Sequence, residues 1–407
     1  MGRLILTNAT VLDGEHPAVA DRTIVVVGDR IESVEGPEVA SPEVTSGPDD
    51  AVVDLAGRTV MPGMATCHFH STYHELGSTQ LPYGSEEPPA FMALQSHQNM
   101  MEALRWGYTT VVGAGAGQDV EPGVDLAIRR GLVPGPRVVP CGRELSTTAH
   151  SNDVVPWFWN MPGSGAVWIC DGPDEFRRGV REQVKRGARI IKLFVTGGHG
   201  TTSPKARTEM TRDELTAAID AAHEKDVLIR GHLANKPAIM MALELGIDVV
   251  DHCDEMDDEV IAACVETGAF VVPSIYFPKV FVDFFPDNKA ELAHMYEVLP
   301  RAEAAGVRLL LGDDYGAINF PHGAYGGELH TYVEDAGLDP LAVLRWATVN
   351  GAALTGRSDD LGTVAPGKLA DLLVIDGDPS VDISVLADVP PVAVLKGGAV
   401  VAGALPA

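Results

Sequence analysis

Between residues 61 and 361, short apolar runs alternate eight times with amphipathic stretches, and no other feature of this chain constrains its fold as much. Candidate strands end near His70, Ala116, Ser146, Thr196, Ala234, Asp254, Ile275 and Asp314. The stretches around 92–106, 121–131, 174–186, 212–225, 236–246, 257–268, 288–306 and 339–354 carry the spacing of half-buried helices. Thr211-Arg212-Asp213-Glu214 supplies a capping box for the fourth of them. Repeated β–α units predict an α/β fold with a parallel sheet, and eight units predict a closed (β/α)8 TIM-type barrel.

The two ends of the chain read differently. Residues 4–12, 23–27, 30–34 and 51–55 are short apolar or alternating runs separated by Gly, Asp and Pro. Residues 370–375 and 392–401 look alike, the second run being interrupted by Gly397-Gly398. We expect 1–60 and 362–407 to pair into a small β-sandwich domain beside a barrel over 61–361. Residues 35–50, rich in Pro, Ser, Gly and Glu, read as a surface loop.

The net charge of −27 repels nucleic acid and anionic membrane surfaces, so neither is an expected partner. Five cysteines without a CxxC pair fit a reducing compartment. The opening Met1-Gly2-Arg3-Leu4-Ile5-Leu6 runs into a strand-like pattern without the features of a signal peptide, and no apolar run is long enough to span a bilayer. A cytoplasmic location is expected.

The chemistry-bearing residues fall at strand ends. In Cys67-His68-Phe69-His70-Ser71, side chains alternate faces, so His68 and His70 point the same way, a pair suited to one metal ion. Lys192 stands in the otherwise apolar Ile190-Ile191-Lys192-Leu193-Phe194-Val195. It is either a lysine whose stem lies buried with its amine reaching out, or a buried amine of lowered pKa that can take up carbon dioxide as a carbamate. His232 ends strand five, and His252 ends strand six. Strand eight ends in Asp313-Asp314, and alternation alone leaves open which carboxylate faces inward. Each signal is modest alone. Together they put His, His, Lys, His, His and Asp on the rim where barrels of this kind carry their chemistry.

With these residues in hand, the chain resembles the amidohydrolase superfamily over nearly its whole length. Val60-Met61-Pro62-Gly63-Met64 before His68 and His70 is similar to the family's opening motif, and 361–371 to its closing one. Ala347-Thr348-Val349-Asn350-Gly351-Ala352 is similar to the helix after strand eight. The resemblance implies that His68 and His70 hold a buried divalent ion and that Lys192, carbamylated, bridges to a second held by His232 and His252. It puts the catalytic Asp on Asp314, with Asp313 departing from the family's usual Thr or Ser. Zinc is the expected metal, with manganese, cobalt or iron also suited to such ligands. The two ions would share a water whose pKa falls toward about 7, and Asp314 would take its proton. Within the superfamily the chain is similar to the imidazolonepropionase-like and Xaa-Pro or Xaa-Lys/Arg dipeptidase branch. The segment Lys192 to Thr196-Gly197-Gly198 and the stretch from Met210 to Pro273 carry that likeness. His150 matches a substrate-contacting His of the branch, whereas Ala234 stands where its dipeptidases tend to have Tyr. Homo-oligomers are common in the family.

The expected function is hydrolysis of a C–N bond of amide, peptide, carbamate or urea type. Two aromatic-rich loops, with Trp157, Phe158, Trp159 and Trp168 after strand three and Tyr276, Phe277, Phe281, Phe284 and Phe285 after strand seven, suggest an apolar or aromatic substrate group. His199, in Gly197-Gly198-His199-Gly200, is a further candidate contact, and Lys205 and Arg207 are candidates for a substrate carboxylate. Three rivals stand beside this reading. They are a one-metal deaminase, a lactone or ester hydrolase on the same barrel, and a non-catalytic scaffold.

Overall fold

The computed structural model describes residues 2–36, 48–76, 81–159, 165–198, 203–285 and 288–406. His199 and most of the expected 35–50 loop lie outside the described residues. The chain forms two compact units: Met1–Ala65 with Met101–Thr110 and Tyr325–Ala407, and Thr66–Met100 with Val111–Ala324.

The first unit is built on one eight-stranded sheet. Along it lie Ala399–Gly403, Ala393–Lys396, Leu372–Ile375, Thr59–Pro62, Arg3–Val11, Val19–Val27 and Arg30–Glu35, with Ala51–Asp54 paired to Arg3–Val11. Strands from both chain ends meet where Leu373 pairs with Met61. Leu6, Ile24, Val26, Val60, Leu372 and Leu395 fill the shared core of this β-sandwich. The run 392–401 is two strands, not one. Gly397 and Gly398 both take positive φ, 55° and 76°, the backbone of a two-residue hairpin turn that twists with its strands. The helix expected over 339–354 is Pro340–Arg345 and Gly351–Leu354, with a π-helical turn at Trp346–Asn350 between them.

The second unit carries the barrel. The barrel strands are Met64–Phe69 and Tyr108–Gly113, whose first residues are counted with the first unit, a third made of Arg137–Val139 and Glu144–Ser146, then Ile190–Phe194, Leu228–Leu233, Val249–His252, Phe270–Val272 and Arg308–Leu309. From the fourth to the eighth, neighbours pair in parallel. The ring closes where Cys67 N–H donates to Leu311 O at 2.7 Å. Gly312 makes that seam possible, because a Cβ there would fall 2.3 Å from His68 N, at a φ of +151°. Strands four to seven are covered on both faces, hence their near-continuous apolar runs. Strand three is split because Pro140 lacks the N–H a ladder needs. A short strand absent from the sequence reading, Val167–Ile169, pairs beside Glu144–Ser146. The capping box forms as expected, with Thr211 N–H donating to Glu214 at 2.8 Å at the start of Arg212–His223.

Candidate metal centre

Strand alternation turns His68 and His70 to one side of the first barrel strand, where both are buried. Their partners decide where each ring carries its proton. Nδ1 of His68 lies 2.9 Å from Ser274 Oγ, and the Ser274 hydroxyl donates to Gly312 O at 3.0 Å. One hydroxyl proton cannot serve both contacts, so His68 donates from Nδ1 and keeps a lone pair on Nε2. Burial pulls the pKa of His68 down to about 4, so the ring is neutral at ordinary pH. Nδ1 of His70 lies 3.2 Å from Gly115 O, which can only accept, so Nδ1 carries a proton and Nε2 is the nitrogen left to offer a lone pair.

The two lone pairs face each other. His68 Nε2 and His70 Nε2 are 3.3 Å apart, and Asp314 Oδ1 lies 3.0 Å from the first and 3.2 Å from the second. Three acceptors converge with no proton to share among them, an arrangement that a cation satisfies. Ligands of a tetrahedral ion bound at about 2.0–2.1 Å stand about 3.3 Å apart, so the donors fit such a group.

The remaining candidates come from strands four to six. Lys192 Nζ is buried 3.5 Å from His68 Nε2 and 2.6 Å from Asp251 Oδ2. The His232 ring stands 4.3 Å from that of His252, with Nε2 3.3 Å from Gly197 O. His252 Nε2 is 3.9 Å from the second oxygen of Asp314. One atom each of His68, His252 and Asp314 falls within 4.8 Å of the other two. His252 reaches this place through an irregularity. Its φ of 71° and the 59° of Cys253 are left-handed, so strand six ends with Asp251 and His252 both turned toward the other candidates.

Asp314, not Asp313, lies among the imidazoles. Asp313 instead accepts the N–H groups of Tyr276, Phe277 and Asp314 at 2.8, 3.1 and 2.7 Å, holding the loop after strand seven. Burial, with Asp314 beside it, pushes its carboxyl up to about 7.

His150 is buried, its Nδ1 accepts Asn152 N–H at 3.1 Å, and its Nε2 lies 3.3 Å from Thr196 O. The ring proton therefore sits on Nε2. Phe194 lies between this ring and that of His232, at 5.2 and 5.0 Å.

Among the described residues, the aromatic side chains of the two loops divide between solvent and packing on neighbouring side chains. Trp157 is 94% exposed and touches Phe158, and Trp159 is 39% exposed, because their loop turns outward into solvent. Trp168 packs against the guanidiniums of Arg143 and Arg186. Tyr276 packs on Phe320 at 5.1 Å. Lys205 is bound by Asp254 at 2.9 Å and by Glu291.

The sequence reading missed Ser274, Arg230, Asp251 and Glu144. Arg230 is wholly buried and donates to Cys67 O at 2.7 Å, Gly113 O at 3.1 Å and the Asp251 carboxylate. Burial opposes the charge of Asp251, yet Arg230 and Lys192 hold its pKa far below the usual range. Arg230 shares the parity of His232, and a charge at an inward position demands a partner. That signal was available. Ser274 offered none, since a serine after an apolar strand is ordinary.

A family model described as the amidohydrolase family matches residues 59–403. The chain belongs to the amidohydrolase family. It is thereby a metal-dependent hydrolase of C–N bonds. Among curated members, an Aspergillus niger ochratoxinase is 28% identical over 83% of this chain and 75% of that protein. A Cutibacterium acnes imidazolonepropionase is 27% identical over 92% of this chain and 88% of that one. A crystal structure of a prolidase with N-methylphosphonate-L-proline superposes with a TM-score of 0.86 at 29% identity, covering 98% of this chain and 99% of that one. These amidohydrolases share the barrel and the β-sandwich.

Proposed function

We propose that this amidohydrolase uses two divalent ions, with zinc as the resident metal. His68 and His70 would hold the first, His232 and His252 the second, and Lys192 as a carbamate would join Asp314 between them. The observation that carries this reading is the convergence of His68 Nε2, His70 Nε2 and Asp314 Oδ1 within 3.3 Å of one another. Ions held there supply polarisation of the substrate carbonyl and a water acidified toward a pKa of about 7.

The protein's own groups do the rest. Asp314 takes the proton from the attacking water and delivers it to the leaving nitrogen. His150, whose Nε2–H lies against Thr196 O, would turn that proton to the carbonyl oxygen as negative charge grows there. Asp251, held by Arg230, fixes the position of Lys192. A one-metal deaminase has no use for a buried lysine 3.5 Å from a ligand histidine.

The substrate is a small amide, with N-acyl amino acids and aryl amides the first classes to test. The names ochratoxinase and prolidase, carried by similar proteins, support amide-type cleavage, and Ala234 argues against a simple dipeptide. Among the described residues no helix is long and apolar enough to cross a membrane, and all five cysteines are buried free thiols, which supports a reducing, cytoplasmic setting.

The test is metal analysis of purified protein followed by a panel of N-acyl amino acids, dipeptides, carbamates and aryl amides. Near two equivalents of metal and hydrolysis of an amide are expected. Zinc-saturated buffer leaving the protein metal-free would overturn the reading.

A further inference from the structure

We propose that Glu144 is a positioning residue for His70, acting together with Tyr73 and Tyr83. The inference rests on His70 being a metal ligand, as read above. Glu144 opens the second half of barrel strand three and is wholly buried. Its Oε1 accepts the Tyr73 hydroxyl at 2.8 Å, and its Oε2 accepts the Tyr83 hydroxyl at 2.7 Å. The same Oε1 lies 3.5 Å from Nδ1 of His70, so the ring proton points at Gly115 O with the carboxylate beside it.

Tyr73 acts on the other side of that ring. Its own ring lies flat on His70, with centroids 4.1 Å apart and planes 6° from parallel. The carboxylate thus borders the edge of the imidazole while the tyrosine it anchors covers the face. Gly115 completes the arrangement. It takes a φ of +134°, and a Cβ there would fall 2.5 Å from Glu144 Oε1, so only glycine leaves room for the carboxylate.

A buried carboxylate is costly unless every lone pair is used, and this one is placed against a histidine and two hydroxyls. A carboxylate behind the Nδ1 edge fixes a ligating ring and makes Nε2 a better donor. Tyr73 and Tyr83 also wall a cavity of about 210 Å³ with Phe91 and Met92.

The test is zinc affinity by competition with a chromophoric chelator, read on the full-length protein. Glu144→Gln keeps the shape, but the charge beside His70 is lost and only one of the two tyrosine hydroxyls can still donate to this side chain. Zinc binding about 10–100-fold weaker is expected. Tyr83→Phe keeps the ring and removes one hydroxyl, and binding about fivefold weaker is expected. Folded Glu144→Gln that binds zinc as tightly as the parent overturns the proposal. Should that variant not fold, parental zinc affinity in Tyr83→Phe overturns it instead. A parent protein that binds no zinc defeats the metal reading itself, which is a different result from a parent and variant that bind alike.

Discussion

The hydroxyl of Ser274 stands 2.9 Å from Nδ1 of His68 and, by giving its own proton to Gly312, decides which nitrogen of that ring keeps a lone pair. The two residues are 206 positions apart in the chain. Ser274→Ala leaves the buried Nδ1–H without an acceptor, at a cost of about 1–3 kcal/mol, and frees the ring to change tautomer. Metal affinity should fall about 10–100-fold. Titration with zinc, alongside thermal unfolding, checks both effects, and parental affinity in a folded variant would sink the tautomer argument.

Asp313 and Asp314 are adjacent carboxylates with different partners, so the same substitution should act differently at each. Asp314→Asn should lower kcat/KM about 10²–10⁴-fold, the range for loss of a proton-transferring group. Asp313→Asn chiefly loosens the loop it caps, at about 0.5–2 kcal/mol of stability, with a milder loss of kcat. Steady-state kinetics on one amide substrate with both variants makes the comparison. The opposite ranking would exchange their roles.

Lys192 is expected to work as a carbamate, and that has a chemical signature. Lys192→Ala should be inactive, and a short carboxylate such as propionate added to the buffer should restore part of the activity. Metal-free protein reconstituted with zinc should recover faster with bicarbonate present than in buffer stripped of carbon dioxide. Full activity in Lys192→Ala without any additive would remove the carbamate from the account.

Glu121 supplies a pH dependence outside the metal centre. Burial raises its carboxyl to about 7, although it accepts the N–H of Cys141 at 2.5 Å. The folded pKa lies above the unfolded one, so the folded state binds the proton more tightly between them. Stability therefore falls as pH rises from about 4.5 to 7, by at most about 3 kcal/mol from this group, and the cost persists above that window. Glu121→Gln removes the titration. Its denaturant midpoint should fall less than the parent's between pH 5 and pH 8, and identical slopes for the two would refute the assignment.

The sequence alone determined the things that depend on local periodicity. The eight β–α repeats, the shared face of His68 and His70, the places of Lys192 within strand four and of His232 and His252 at the ends of strands five and six, and the Thr211 capping box are all legible from local pattern, alternation of two or spacing of 3.6. Tertiary structure decided what depends on which strand ends meet. It set Asp314 rather than Asp313 among the imidazoles, paired Arg230 with Asp251, brought Ser274 and Glu144 behind two histidines, and turned 392–401 into a hairpin. The left-handed backbone at His252 and Cys253 shows the physical reason. One residue leaving the β region breaks the alternation that makes a strand readable, and the contacts that stabilise such a break come from residues far away in the chain.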